Sequence, residues 1–334
     1  MWGWFASLLA VLLGAKYYYR ATSGVCRSKR RLDGKTAIVT GSSAGIGKEA
    51  ARDLAQRGAR VILACRNVQK AQAVADDIIA TTGNKQVIVR QVDTSDLTSV
   101  RKFAKGILDT EAALHILVNN AGILGPDEKK VSADGLELTV ATNHFGHFLL
   151  TNMLLELLKS SEPSRIVNVS SKGHFACKKV DAKDLNFEKR AYPGSMQTYC
   201  HSKACNILFT LELADKLRNT RVTANCLHPG LVMTEIMSKE GSFLFRYLSW
   251  LLFLITSKDE KLGAQTIIYL AVDEDVENVS GKYFSDCKVA PTSQVVKDRT
   301  VALELWEASE QLVKLSSEDV HYKGKPTDDA QQKA

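Results

Sequence analysis

The sequence contains little of what marks a disulfide-bonded, modular or repetitive protein. It has seven cysteines, an odd number without any C-x-x-C pair, and only six prolines in 334 residues. No Pro/Gly/Ser-rich linker and no repeat interrupts residues 34–316. These absences argue against a disulfide framework, a cysteine metal site and several small domains. They favour one large domain with reduced thiols in a reducing compartment.

The positive charge is local rather than spread over the chain. The net charge is +7, and six of the excess positive charges lie within residues 16–31, which contain no acidic residue. Because the remainder is nearly neutral, no nucleic-acid partner is expected.

An apolar run precedes this basic cluster. Residues 1–15 are apolar and lead into Tyr17, Tyr18 and Tyr19. An aromatic belt with a positive flank is typical of a membrane anchor whose C-terminal side faces the cytosol. Such a run reaches roughly 22 Å, less than the ~30 Å of a bilayer core, so it spans only with the tyrosines included or lies in the interface. A cleaved signal peptide is the alternative, which the position of the charges disfavours.

From Lys35 onward, apolar runs alternate with amphipathic segments. Strands are predicted at 35–40, 59–64, 86–92, 114–119, 164–170, 221–227 and 281–284, with helices near 46–57, 67–81, 96–110, 132–159, 197–218, 258–272 and 294–315. Strands that are apolar almost throughout, each followed by a helix, predict a parallel sheet covered on both faces. The expected fold class is therefore α/β, a single doubly wound Rossmann domain with a seven-stranded parallel sheet.

A glycine-rich turn follows the first predicted strand. Its candidate cofactor-binding residues are Gly41, Ser43, Gly45, Ile46 and Gly47. The first glycine permits a sharp turn, the second lets backbone approach a pyrophosphate, and the third lets strand and helix pack closely. The free N–H groups of the helix N-terminus suit a phosphate. Taken alone, the pattern is equally compatible with an ordinary strand-to-helix turn.

The next strand ends carry further cofactor candidates. Arg66 follows the second strand, where an NAD enzyme usually has a carboxylate and an arginine suits a 2′-phosphate. NADP(H) is therefore the expected cofactor, with a solvated loop arginine as the alternative. Asp93 ends the third strand, where it can hydrogen-bond the adenine, and Asn120, Ala121 and Gly122 end the fourth with small side chains and amides.

Tyr199 and Lys203 lie four residues apart, on one face of a predicted helix. A free tyrosine has a pKa of about 10 and exchanges protons poorly near neutrality. The charge of Lys203, with that of an oxidised nicotinamide, is expected to lower the pKa of Tyr199 toward the working pH. By itself, such a pair is more often a surface contact.

Two further segments complete the group. Ser170 and Ser171 end the fifth strand, where a hydroxyl can hold a substrate carbonyl. Past the sixth strand, a rigid turn leads to a threonine placed for a carboxamide, and its candidate residues are Pro229, Gly230, Val232 and Thr234.

In this order, T-G-x-x-x-G-I-G, N-N-A-G, Asn143, V-S-S, Y-x-x-x-K and P-G-x-V-x-T resemble the short-chain dehydrogenase/reductase superfamily over roughly residues 34–316. The segments A-C-R (64–66), N-H-F-G-H-F (143–148) and Y-C-H-S-K (199–203) resemble the membrane-bound retinol dehydrogenases that prefer NADPH. The resemblance implies that Tyr199 is the general acid/base and that Lys203 lowers its pKa and holds the nicotinamide ribose. It also implies that Ser171 binds the carbonyl oxygen and that Asn143 orders a water connecting Lys203 to solvent.

Residues 243–255 are apolar all around a helix and too short to span a bilayer. In the family that the sequence resembles, this region (241–257) is the substrate lid. We expect it to dip into the membrane surface and admit a lipophilic substrate, with an ordinary core helix as the alternative.

No metal is expected, because no histidine has a suitable spacing with carboxylates or cysteines. Four histidines near the candidate site are expected to be polar contacts near the cofactor or surface residues: His144, His147, His174 and His201.

The expected function is NADPH-dependent reduction of retinal to retinol, in a reversible reaction on a membrane. The alternatives are a reductase of other lipophilic aldehydes or steroids, and a non-catalytic NADP(H)-binding membrane protein. The expected regions are a hydrophobic anchor (1–19), a basic juxtamembrane segment (20–33), a catalytic domain (34–316) and a disordered tail (317–334). The expected location is the endoplasmic reticulum membrane with the catalytic domain facing the cytosol, and a mitochondrial membrane is the alternative.

Overall fold

The computed structural model describes residues 14, 16–232, 258–316 and 319. The predicted lid and most of the predicted anchor and tail lie outside these residues. No helix in the described part of the chain combines the length and the apolar character that a bilayer crossing needs.

The core of the fold is one eight-stranded sheet in the order β3-β2-β1-β4-β5-β6-β7-β8. The strands are β1 (Thr36–Thr40), β2 (Arg60–Cys65), β3 (Val87–Gln91), β4 (Ile116–Asn119), β5 (Ser164–Val169), β6 (Val222–His228), β7 (Tyr283–Ser285) and β8 (Lys288–Val289). Neighbours from β3 to β7 pair in parallel. The strand order reverses between β1 and β4, as in a doubly wound sheet.

The predicted number of seven strands is wrong by one. The additional strand, β8, is two exposed residues that pair antiparallel with β7. The turn between them places Asp286 and Cys287 at φ 52° and 58°, so two non-glycine residues adopt the left-handed conformation of a tight hairpin. Because the turn contains no glycine and β8 has no apolar pattern, the sequence carries no signal for this hairpin.

The helices cover both faces of the sheet. They are α1 (Gly45–Gln56), α2 (Val68–Thr82), α3 (Leu97–Thr110), α4 (Leu138–Val140), α5 (Gly146–Met153), α6 (Leu155–Ser160), α7 (Ser195–Lys216), α8 (Glu260–Gly263), α9 (Gln265–Val272) and α10 (Arg299–Leu312). Successive residues of a strand pack on opposite layers, because side chains alternate along it. In β1, Ile38 belongs to the core layer that includes residues of α3, α5, α7 and α10, whereas Ala37 and Val39 belong to the layer that includes residues of α1, α2 and α9.

The predicted long helix at 132–159 is broken in the structure. Its first residues form a turn closed by a bridge between Val131 and Glu137, and α4 then passes into a π-helical turn, Ala141–Phe145, before α5 begins. A π-turn inserts one residue without changing the apolar character of the segment, so periodicity alone does not reveal it.

The start of the described chain packs onto the domain. Residues 16–22 are helical, and the following residues run along α8, α9 and the β7–β8 turn. Arg30 lies in ion pairs with Glu274 and Glu277 at the end of this run.

Candidate active site

A cavity of about 720 Å³ opens at the carboxyl ends of the parallel strands, where the strand order reverses. Most of the predicted site residues lie on its wall: Gly41, Ser43, Gly45, Ile46, Gly47, Arg66, Asp93, Asn120, Ala121, Gly122, Ser171, Tyr199, Lys203, Pro229, Gly230 and Val232. Asn143 does not line the cavity, and Thr234 lies outside the described residues.

The glycine turn has the close approaches that its spacing predicts. Gly41 has φ +65°, and a Cβ there would lie 2.7 Å from Ala121 Cα. A Cβ on Gly47 would lie 2.7 Å from the Gly41 carbonyl oxygen. Ala44, at the start of α1, provides no side-chain cap. In the part of the chain that the structure describes, the first N–H groups of this helix are therefore available to bind an anion. The turn therefore fits a pyrophosphate.

Thr40 is a structural residue of the site that sequence reasoning missed. Its buried hydroxyl accepts hydrogen bonds from the N–H groups of Asn120 (2.9 Å) and Ala121 (3.0 Å). The same oxygen lies 2.9 Å from His147 Nε2. Thr40 thus holds the end of β4 against the end of β1, and the only sequence signal was its position directly before Gly41.

Arg66 and Asp93 form the β2–β3 side of the cavity. Arg66 is 76% exposed, and its guanidinium lies 3.9 Å from the Asp93 carboxylate. The other carboxylate oxygen of Asp93 accepts hydrogen bonds from the N–H and the hydroxyl of Ser95. Lys70, one turn into α2, also lines the cavity and was not predicted, although its spacing of four from Arg66 was visible.

The phenol and the ammonium of the Tyr–Lys pair lie together on α7. The Lys203 Nζ is 5.6 Å from the centre of the Tyr199 ring. It donates a hydrogen bond to the carbonyl of Val169 at 3.0 Å. Since an ammonium has three donors, this bond leaves others for a ligand.

Burial shifts both pKa values. It lowers the pKa of Lys203 from 10.5 to about 8. It also raises the pKa of Tyr199, against a smaller lowering by a hydrogen bond with Ser171. In the protein alone, the cost of burying a phenolate is larger than the stabilising contacts. The expected lowering of the Tyr199 pKa by Lys203 together with an oxidised nicotinamide stays a prediction.

The two serines after β5 have different surroundings. Ser171 Oγ accepts a hydrogen bond from the N–H of Gly173 at 3.1 Å, so its own proton is directed elsewhere. Ser170 Oγ is buried and donates to the backbone carbonyl of Lys203 at 2.7 Å. Ser170 therefore fixes the strand to α7, and Ser171 is the serine with a hydroxyl to offer.

Asn143 lies in the π-turn and is fully buried. Its amide oxygen accepts from the N–H of Ile123, and its amide nitrogen donates to the carbonyl of Ile123 and to Ser202 Oγ. A Cβ on Gly122 would lie 3.2 Å from Asn143 Oδ1 and 3.4 Å from Lys203 Nζ, so the two side chains are close neighbours. The amide is thus occupied in holding the segment after β4 against α7.

The histidines near the site are buried: His144, His147, His174 and His201. Of the two expected alternatives, this excludes surface positions, and His147 is a polar contact near the site, with Nε2 2.9 Å from Thr40 Oγ1. Burial lowers the pKa of His147 and of His201 to about 4, so these rings are neutral at pH 7. Within the described residues, no group of histidines, cysteines and carboxylates is arranged to hold a metal ion.

A cavity at the reversal of a doubly wound sheet, bordered by a glycine turn and a Tyr–Lys pair, defines a dinucleotide-binding protein of the Rossmann type. A family model described as short chain dehydrogenase matches residues 35–180. Human Retinol dehydrogenase 11 is 49% identical over 288 residues, which cover 86% of this chain and 88% of that protein. Human Retinol dehydrogenase 12 is 48% identical over 290 residues, 87% of this chain and 90% of that protein.

Solved structures agree with these relatives. An uncharacterised protein of Mycobacterium paratuberculosis is 32% identical with a TM-score of 0.70, covering 88% of this chain and 98% of that one. A short chain dehydrogenase of Burkholderia cenocepacia J2315 in complex with NADP is 26% identical with a TM-score of 0.61, covering 80% of this chain and all of that one.

The chain belongs to the short-chain dehydrogenase family, in the group of the retinol dehydrogenases. As a member of this family, it is an oxidoreductase that acts on CH–OH and carbonyl groups with a nicotinamide cofactor.

Proposed function

We propose that the protein reduces retinal to retinol with NADPH, in a reversible reaction at a membrane. One observation carries this proposal: Tyr199, Lys203 and Ser171 line the same cavity as the glycine turn and Arg66. A proton donor, a neighbouring cation and a phosphate-binding turn at one crevice are the parts that carbonyl reduction needs.

The proposed preference for NADPH rests on Arg66. Its guanidinium is exposed at the end of β2, where a 2′-phosphate would lie in a Rossmann fold. The Asp93 carboxylate is 3.9 Å from this guanidinium, which is too far for a charge-assisted hydrogen bond. A phosphate can therefore compete with Asp93 for Arg66. We also propose that Asp93 binds the adenine and that the turn at Gly41–Gly47 binds the pyrophosphate.

In the proposed mechanism, Tyr199 is the general acid. A bound nicotinamide would supply the hydride to the carbonyl carbon. Tyr199 donates its proton to the carbonyl oxygen as negative charge develops there. Its raised pKa keeps the phenol protonated near neutrality, which is the state that reduction requires. Lys203 stabilises the phenolate left behind.

Ser171 and Asn143 support this step. The Ser171 hydroxyl, which already accepts from Gly173, donates to the same carbonyl oxygen and orients it. The Asn143 amide holds the segment after β4 to α7 through Ile123 and Ser202. Its Oδ1 accepts one hydrogen bond and can accept a second, so we assign to Asn143 the water that connects Lys203 to solvent.

The proposed substrate is lipophilic. The relatives are retinol dehydrogenases, and the cavity wall includes the apolar residues Ile123, Leu124, Met196 and Leu231. We propose that segment 241–257 is the lid over this side and that residues 1–19 anchor the chain in the endoplasmic reticulum membrane, with the catalytic domain (34–316) in the cytosol. The remaining proposed regions are the basic juxtamembrane segment (20–33) and the tail (317–334).

A product-resolved assay tests the proposal. The full chain, in detergent or vesicles, is given all-trans-retinal, a medium-chain aldehyde, a lipid-peroxidation aldehyde and a steroid ketone, each with NADPH and with NADH. The expected result is the highest kcat/KM for retinal with NADPH. A higher value for another carbonyl would assign the alternative substrate class. Tight NADPH binding without turnover of any of them would support the non-catalytic alternative.

A further inference from the structure

Lys258 is a buried lysine outside the proposed catalytic group. Its side chain is 1% exposed, and its ammonium donates to Asp286 Oδ1 at 2.5 Å. A charge this deeply buried is costly unless it is paired, so the position of Asp286 is what permits it.

The stem of Lys258 packs behind the loop at 229–232, which lines the cofactor cavity. Gly230 has φ +96°, and a Cβ there would lie 2.7 Å from Lys258 Cδ. The backbone N–H of Lys258 donates to the Leu231 carbonyl at 2.7 Å, and Lys258 forms a parallel bridge with Val232. The loop is therefore shaped by Lys258 through its side chain and its backbone.

Asp286 is held in an unfavourable conformation. It has φ 52° in the β7–β8 turn, a value that L residues rarely adopt and that aspartate tolerates better than most. Burial by itself would raise the pKa of Asp286, but the hydrogen bond and charge of Lys258 bring this pKa below its ordinary value. Its carboxylate is thus charged at neutral pH and directed at Lys258.

The start of the described chain completes the arrangement. The N–H of Gly24 donates to the same Asp286 oxygen at 3.2 Å, and a Cβ on Gly24 would lie 2.0 Å from the Asp286 carbonyl oxygen. Arg20 forms an ion pair with Asp259, the residue after Lys258. Tyr19 lies near Asp286 and against the backbone of Leu231. We call residues 19–24 the N-terminal clasp.

We propose that Lys258 is a positioning residue for the cofactor loop and that the N-terminal clasp holds it there through Asp286. The inference deepens the proposed function and rests on it, because the loop matters through its contact with NADP(H). The chain that leads from the proposed anchor thereby sets how tightly the cofactor binds.

Full-length variants test this inference by three measurements: the NADPH Kd from the fluorescence of bound NADPH, the Tm without cofactor, and kcat at saturating NADPH. Lys258→Met keeps the stem and removes the charge, and we expect a roughly tenfold higher Kd with kcat changed by less than about twofold. Gly24→Ala should also raise Kd, because a Cβ at this position cannot be accommodated beside Asp286.

Two substitutions of Asp286 should raise the NADPH Kd to different extents. Asp286→Ala should raise Kd, whereas Asp286→Asn should raise it less, because asparagine keeps an acceptor for Gly24 and tolerates the turn. The double variant Lys258→Met/Asp286→Ala should bind no worse than the poorer single variant, because both disrupt one interaction. Gly106→Ala is the matched control: a Cβ there meets nothing within 4 Å, so Kd should be unchanged, and Tm should stay the same or rise slightly because alanine favours the helix.

The outcomes separate the two proposals. If the wild type binds NADPH and both Lys258→Met and Gly24→Ala bind it equally well, the positioning role is wrong and the proposed function stands. A fall in Tm with an unchanged Kd would likewise assign Lys258 to stability alone. If the wild type binds neither NADPH nor NADH, the proposed function fails and the inference fails with it.

Discussion

At the scale of single residues, burial moves the two ionisable groups of the site toward their neutral forms. The pKa of Tyr199 rises, and that of Lys203 falls to about 8. A protonated phenol suits a proton donor in reduction, and a lysine with this pKa still carries most of its charge at pH 7. The pair therefore supports the proposed reductive direction, and the positive charge of an oxidised nicotinamide near Tyr199 would favour its phenolate.

The buried Lys203 makes stability depend on pH in a defined direction. Its folded pKa of about 8 lies below the ordinary 10.5, so between these values the unfolded chain binds more protons than the folded one. The wild type should gain stability relative to Lys203→Met as pH rises through this window. Urea unfolding of both proteins at about pH 7 and about pH 9.5 measures the change. If the free energies of unfolding of the two proteins changed equally with pH, the pKa of Lys203 would not be shifted in the folded protein.

The cofactor preference is a second residue-scale prediction. Arg66→Asp should weaken NADPH binding by roughly 1–3 kcal/mol, through loss of a charge-assisted contact and repulsion of the phosphate, and should spare NADH. Arg221→Asp is the matched control, because Arg221 is also exposed but directly precedes β6, at the amino ends of the parallel strands and away from the cavity at their carboxyl ends. Titration of both cofactors measures the effect. Equal losses for NADPH and NADH would contradict the assignment of Arg66.

At the scale of elements, the site depends on how strand ends are fastened to one another. Thr40 joins the end of β1 to that of β4, and Asn143 joins the segment after β4 to α7 through Ser202. Both residues are buried and bind backbone groups that would otherwise be unpaired. The cavity wall is therefore held by polar contacts below its surface.

Thr40→Val tests this fastening. Valine has nearly the same shape but leaves the N–H groups of Asn120 and Ala121 without their acceptor, so we expect a loss of roughly 2–4 kcal/mol in the free energy of unfolding and weaker NADPH binding. Thr110→Val, at the exposed end of α3, should change stability by no more than about 0.5 kcal/mol. Similar small effects of both substitutions on unfolding would show that Thr40 does not fasten the strands.

At the scale of the whole molecule, the parallel core and the cavity were predictable from the sequence. The strands β1 to β7 lie within two residues of their predicted bounds, because residues buried on both faces of a sheet make continuous apolar runs. The reversal of strand order then brings the strand ends together, which is why the glycine turn, Arg66 and Tyr199 share one cavity.

The features that were not predictable depend on contacts that no local pattern records. The strand β8 is two exposed residues, and the π-turn at Ala141–Phe145 has no periodic signature. The pKa of Tyr199 depends on how deeply packing buries it. Gly24 and Asp286 are 262 residues apart in sequence, so their contact follows only from the complete fold.

The proposed membrane attachment is a prediction for the whole chain. The full chain should fractionate with endoplasmic reticulum membranes and resist carbonate extraction, because residues 1–15 are apolar. Deletion of residues 2–15 should make it extractable, whereas deletion of residues 320–334, a segment of similar length, should not. Complete resistance of the first deletion to carbonate would show that the N-terminal run is not the anchor.

The central claim is that Tyr199 delivers the proton to a carbonyl oxygen. The most direct test is the rate of all-trans-retinal reduction by NADPH-saturated wild type and Tyr199→Phe, with the NADPH Kd measured in parallel. The account predicts a rate loss of about 10² to 10⁴-fold in Tyr199→Phe, since general acid catalysis contributes that much, and an NADPH Kd within about twofold of the wild type. Wild-type turnover by Tyr199→Phe would contradict it.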